Sequence, residues 1–280
     1  MNFPKFWAKG TSGDFSCWRW SFQNLAEAQA LANEAARQLA QRFRDGVYPK
    51  QGGHYYPDRP AREQILQEIT DARGLSAVVT RNSYGCLVLN TARAMFVDID
   101  LPEPPKPRGG GFLSKLFGKP APQLPQPNPE YEALARVENW TRNNSPWGWR
   151  VYRTRLGLRL LATQGPVESD SRTTDEVFEA LGADPLYRKL CKTQKCFRAR
   201  LTPKPWRCGQ GRLNHRWPWL TPREEQKFQK WQTAYQSASA EWATCAFVRL
   251  IGNESVHPEV QVIIKLHDEA TRANSELPLA

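Results

Sequence analysis

The chain predicts an α+β fold, with a mixed or antiparallel sheet flanked by helices. Three observations carry that expectation. Strand-like and helix-like segments interleave along 280 residues without the regular strand–helix–strand rhythm of a doubly wound sheet. No segment repeats at a fixed period. A composition that is 40% hydrophobic, with eleven tryptophans, supplies enough apolar surface for one large domain or two small ones.

The elements follow in order. Phe15–Trp20 reads as a strand. Residues 24–44 read as a helix, with Leu25, Ala28, Leu31, Ala32, Ala35, Leu39 and Phe43 as its inward stripe and Gly46 where a C-terminal cap belongs. Residues 52–60 form a loop rich in Gly, Tyr and Pro. A second helix is expected over Ala61–Ala72, with Ile65, Leu66 and Ile69 inward. Leu75–Arg81, Cys86–Asn90 and Ala94–Asp100 read as strands, with Ser83-Tyr84-Gly85 turning between the first two. Beyond the Pro-rich stretch, Glu130–Thr141 is helical. Trp147–Arg155 and Leu158–Thr163 pair as strands about a turn at Gly157. Thr174–Leu181 and Pro185–Cys191 are short helices, and Cys196–Leu201 is a strand ended by Pro203-Lys204-Pro205. Thr221-Pro222-Arg223-Glu224 is a helix start: a hydroxyl cap, proline in the first turn and a glutamate at the third position. Trp242–Leu250 is a strand, and Pro258–Thr271 closes the chain as an amphipathic helix.

Pro102–Pro129 breaks the pattern with nine prolines in 28 residues and the run Gly109-Gly110-Gly111. Such a segment cannot bury enough surface to offset its ordering entropy, so it predicts a disordered insertion. It divides the chain into residues 1–101, the insertion at 102–129, and a basic part at 130–280 that completes the same domain. The apolar-basic island 111–118 inside it is a candidate docking motif, so residues 104–127 are the place for a protein partner.

Net charge is +11, and fifteen Lys/Arg against six Asp/Glu fall between Pro146 and Arg216. Eleven of those fifteen are arginines, whose planar fork suits phosphate. The expected partner is therefore a polyanion, nucleic acid or nucleoside triphosphates. No apolar run approaches the length of a membrane span, and the first fifteen residues lack a secretory apolar core. Six scattered cysteines read as reduced thiols of a cytoplasmic protein.

Three constellations could carry chemistry. Met95-Phe96-Val97-Asp98-Ile99-Asp100 is a strand whose two carboxylates emerge on one face. Two same-face acids repel unless a cation sits between them, and Mg²⁺ or Mn²⁺ suits carboxylate oxygens. The plainer reading pairs Asp98 with an arginine. Next, Arg150–Leu160 is an arginine-lined hairpin. Arg153 and Arg155 share one face, Thr154 lies on the other, and Arg159 follows on the second strand, all as phosphate candidates. Finally, Cys196–Cys208 puts Arg198 and Arg200 on one strand face, with Lys204, Trp206 and Arg207 on a proline-stiffened loop. Guanidiniums beside an aromatic ring suit single-stranded nucleic acid, where phosphates pair and bases stack.

An Asp-x-Asp strand followed by a strand–turn–strand with small polar and basic residues resembles the catalytic core of archaeo-eukaryotic-type primases, over about Leu75–Thr163. The resemblance implies an RRM-like sheet, metal-binding and catalytic roles for Asp98 and Asp100, and a nucleotide-phosphate contact from the hairpin. There the family usually places a histidine, and this chain offers Thr154, Arg155 and Arg159. A third acid is expected on a later strand, with Glu241 and Asp268 as candidates.

Cys191, Cys196, Cys208 and His215 have the atoms for a tetrahedral Zn²⁺ site, but the spacing lacks a C-x₂-C knuckle, and buried free thiols are favoured. His54 and His267 carry no motif. No nucleophile elbow, Walker loop or G-x-G-x-x-G is present. Two functional expectations result: a metal-dependent nucleotidyltransferase of primase-like type, or a non-catalytic single-stranded nucleic-acid-binding protein. A third class, an assembly component docking through the Pro-rich arm, stands behind them.

Overall fold

A computed structural model describes residues 1–47, 59–102 and 128–280. The loop residue His54 and the segment 104–127 lie outside the described residues, so the disordered insertion and its docking island carry no structural statement. The fold is α+β, and its three sheets are antiparallel throughout.

The chain opens with a hairpin, β1 (Phe6–Ser12) and β2 (Phe15–Ser21), packed on α1 (Leu25–Arg44). Asn24 caps α1 by accepting from the Glu27 N–H. The buried residues of α1 are Ala28, Ala32, Ala35, Ala36 and Ala40, whereas Leu25, Leu31 and Phe43 are exposed. The expected stripe is thus corrected to its alanines. The cause is close approach: a Cβ on Gly10 of β1 would sit 2.2 Å from the Ala32 backbone, leaving no room for leucine at the contact.

Next come β3 (Gln64–Asp71), β4 (Gly74–Arg81), β5 (Leu87–Thr91) and β6 (Phe96–Asp100). The first replaces the expected helix over Ala61–Ala72. Its register slips twice against β4, between Ile65 and Gln67 and between Ile69 and Thr70. The first slip inserts Leu66 into β3 and resets its alternation, whereas the second inserts Ser76 into β4, so Ile65, Leu66 and Ile69 mimic a helical spacing. After α2 (Pro129–Arg142) come β7 (Gly148–Thr154) and β8 (Gly157–Ala162), then α3 (Arg172–Leu181), α4 (Pro185–Gln194) and β9 (Phe197–Arg200). The chain ends with α5 (Pro222–Ser239), β10 (Cys245–Gly252) and α6 (Pro258–Thr271).

One four-stranded sheet runs β10-β7-β8-β6 and the other β3-β4-β5-β9, so strands from before and after the Pro-rich segment pair in both. A single buried cluster joins them, with Ala77, Leu89 and Phe197 from one sheet and Val97, Val151 and Leu160 from the other. Helix α2 covers one face of the β10-β7-β8-β6 sheet through Trp140 against Trp149. Helix α6 covers the other, with His267 against Phe96 and Tyr152. Strand β6 is the end strand, and α4 closes its outer edge: the Asp184 N–H donates to the Asp98 carbonyl at 3.0 Å, and the Tyr187 hydroxyl donates to the Phe96 carbonyl at 2.9 Å. Among the described residues no helix is long and apolar enough to cross a membrane.

Candidate functional site

A cleft of about 440 Å³ opens where β9, the end of β6, the start of α4's cover and the N-terminal hairpin meet. Among the described residues its cations are Arg59, Arg62, Arg159, Arg198, Arg200, Lys204 and Arg216, against the acids Glu63 and Asp98. Trp7, Trp18 and Tyr84 add aromatic surface.

Strand geometry explains who reaches it. Asp98 pairs across the ladder with Arg159, and Arg159 with Tyr152, so these share the face that α6 covers. Asp100 follows two residues later on that same face. Arg159 is only 2% exposed, and its Nε lies 2.9 Å from the Asp98 carboxylate. Its Nη1 donates to the Arg200 carbonyl at 3.0 Å, tying β8 to β9 across the two sheets. Burial pulls the Arg159 proton affinity down, but Asp98 outweighs it and the guanidinium stays charged. Arg159 is thus a buried staple at the cleft floor, with most of its hydrogen-bonding capacity already used inside the protein.

Arg153 lies on the opposite face, among Val151 and Leu160, and pairs with Glu130 of α2. The structure therefore separates it from Asp98, because alternate residues of β7 face opposite helices. Thr154 sits at the end of β7 on the Asp98 side, opposite Gly157. Arg155 is exposed in the turn and donates to the Leu279 carbonyl at 3.4 Å.

On β9, Arg198 and Arg200 do share a face and line the cleft. Arg198 is spoken for: its Nη2 contacts both Glu63 oxygens, at 2.7 and 3.0 Å, and Thr80 donates to Glu63 at 2.5 Å. Arg200 has no such partner, and its Nε is buried without a hydrogen bond. Lys204 stands 5.7 Å from the Trp206 ring, which is 46% exposed and meets Tyr84 edge-on at 5.3 Å.

The electrostatics single out four groups. Burial and then the neighbouring Arg216 and Arg59 push Arg62 down to about 10. Burial, Arg200 and Arg155 push Arg207 down to about 10. Burial, aided by Arg200 and Arg207, lowers Lys204, and burial with Arg159 nearby lowers Arg200. Among the described residues none of these four forms an ion pair with a carboxylate. Asp98 acts on Arg200, and Asp100 on Lys204 and Arg207, without reversing the direction, and cations held together without a direct ion pair are in the condition that an incoming anion relieves.

The acids are placed less openly. Burial raises the Asp100 carboxyl, with Asp184 and Asp98 adding like-charge repulsion. Asp184, however, caps α4 by accepting from the Tyr187 N–H at 2.6 Å. Asp268 is not a third acid beside them: it binds Arg150, the Tyr152 hydroxyl at 2.6 Å and His267 at 3.1 Å. Glu241 is an exposed residue past α5. Among the described residues no group of three or more His, Cys, Asp or Glu is arranged to hold a metal ion. Cys191 and Cys196 are neighbours inside the core, whereas Cys208 neighbours Cys86, so the cysteines divide between two places. Cys245, His267 and Asp268 stand in a row, with Sγ 3.9 Å from Nε2. Burial raises that thiol and encloses the row in the core, so it is packing rather than a nucleophilic centre.

Sequence reasoning missed Arg59, Arg62, Arg216, Trp18 and Tyr84, which come from four separate segments. The only local signal was Arg59-Pro60-Ala61-Arg62, two cations three apart around a proline. No family model, curated protein or solved structure matches the chain.

Proposed function

We propose that this cleft binds the phosphates of a nucleic-acid ligand, and that the protein acts as a nucleic-acid-binding protein. The observation that supports it best is the set Arg62, Arg200 and Lys204 in the cleft, with Arg207 near Arg200: half-buried cations, without ion-paired carboxylates among the described residues, each lowered by burial and like charge. Other arginines are neutralised: Arg150 by Asp268 and Arg153 by Glu130 away from the cleft, and Arg198 by Glu63 within it. Phosphate oxygens supply the missing charge, and guanidinium forks bind them in two places at once. The test is equilibrium binding of a labelled single-stranded oligonucleotide by fluorescence anisotropy. Arg200→Gln and Lys204→Gln should each weaken binding about tenfold, the scale of one lost charged hydrogen bond. Arg153→Gln, on the far face, should leave it unchanged. Equal affinity in all four proteins would remove the cleft from the function.

A second reading is metal-dependent nucleotidyl transfer of the primase-like kind. Its supporting observation is the Asp98–Asp100 pair beside the cations, where burial, then Asp184 and Asp98, raise the Asp100 carboxyl and Mg²⁺ or Mn²⁺ would lower it. Against it, Asp98 already neutralises Arg159. Metal-dependent nucleotide incorporation lost in Asp100→Ala would favour this reading over binding alone.

A further inference from the structure

The cations in and beside the cleft that have no ion-paired carboxylate among the described residues fall into two groups rather than one. The charges acting on Arg62 are Arg216 and Arg59. Those acting on Lys204 and Arg207 centre on Arg200. The Glu63–Arg198 ion pair joins the groups: Glu63 follows Arg62 in sequence, and Arg198 precedes Arg200 by two residues on β9, about 6.6 Å along a strand. That pair carries no net charge, although Nη1 of Arg198 has no hydrogen-bond partner among the described residues. Each group also keeps a buried donor without a partner, Nη1 of Arg62 and Nε of Arg200. Each has its own ring surface: Arg62 lies 4.0 Å over Trp18, and Lys204 lies beside Trp206.

From this alternation of cation, neutral bridge and cation we infer that the ligand is a single strand spanning both groups, with separate phosphates at Arg62 and at Arg200–Lys204, rather than a mononucleotide or a lone phosphate. The inference rests on the binding reading above. One phosphate satisfies one group and leaves the other set of like charges unrelieved. A strand delivers a second phosphate at the far side of the neutral bridge and offers bases to Trp18 and to Trp206. A duplex keeps its bases stacked on each other and cannot offer them to either ring.

The experiment is a length series on the full chain: thymidine 5′-monophosphate, the dinucleotide pTpT, and an oligothymidylate of about twelve nucleotides. The oligothymidylate should bind more than about tenfold tighter than the monophosphate, since a second charged contact is worth that factor. Arg62→Gln and Lys204→Gln should each remove most of this length advantage while monophosphate binding persists at the remaining group. Thermal melting checks that each variant folds, and Arg216→Gln, at an exposed position, replaces Arg62→Gln if it does not. Equal affinity for the monophosphate and the oligothymidylate overturns the two-group inference and leaves the binding reading standing. A length advantage that survives in both variants also overturns it. Absence of binding by any member of the series overturns the binding reading itself.

Discussion

Arg159 shows how one buried side chain can hold a cleft together. Its guanidinium is held by Asp98 on one side and gives a hydrogen bond to the Arg200 carbonyl on another. Removing the acid leaves a buried charge uncompensated. Asp98→Ala should therefore cost about 3–5 kcal/mol in urea denaturation, and Asp98→Ala combined with Arg159→Met should recover much of that loss. A near-neutral Asp98→Ala would show that the pair is not structural. His267 supplies the pH prediction. Burial, with Arg159 nearby, depresses it to about 4, although Asp268 acts the other way. An unfolded histidine titrates near about 6.5. Between those values the unfolded chain binds the proton and the folded one does not, so stability falls as pH drops from about 6.5 to about 4. His267→Gln should flatten that stretch of a melting-temperature profile, and an unchanged slope would contradict the assignment. At this scale the sequence was partly legible. Alternation placed Asp98 and Asp100 on one face and Arg198 and Arg200 on another. It could not say which arginine would be roofed over, because that depends on α6 and on Glu63, 108 and 135 residues away from Arg159 and Arg198.

Most elements were readable because they announce their own ends. Thr221 accepts from the Glu224 N–H, and Ser171 from the Thr174 N–H, as hydroxyl caps do. Gly182 ends α3 at φ +73°, a conformation that glycine adopts without strain. The failures came where packing overrode pattern. The extra residue Leu66 in β3 made a strand look helical. The leucines of α1 looked like its core, but the hairpin accepts only alanines. Gly10→Ala tests that contact: the new methyl would collide with backbone, not with a flexible side chain. It should destabilise the protein by about 1–3 kcal/mol. Because β1 and β2 carry Trp7 and Trp18 into the cleft wall, oligonucleotide affinity should fall as well. Unchanged melting and binding would mean that the hairpin and helix do not pack as described.

At the scale of the whole molecule, charge was the clearest message of the sequence. The concentration of arginine between Pro146 and Arg216 pointed to phosphate, and the cleft draws Arg159, Arg198, Arg200, Lys204 and Arg216 from that stretch. What it could not reveal was the division of labour. Arg150, Arg153 and Arg198 hold acids of the same chain, whereas Arg62, from a separate segment, has no ion-paired carboxylate among the described residues. Long-range pairing decides this, and a linear count of charges is blind to it. The measurement that bears most directly on phosphate binding by the unpaired cations is the salt dependence of single-strand affinity. If about three or four of them contact phosphate, log K should fall with log[salt] at a slope of about −2 to −3, and Lys204→Gln should make that slope shallower by about 0.7. A slope near zero, or one that Lys204→Gln leaves unaltered, would contradict the assignment of the cleft to a phosphate backbone.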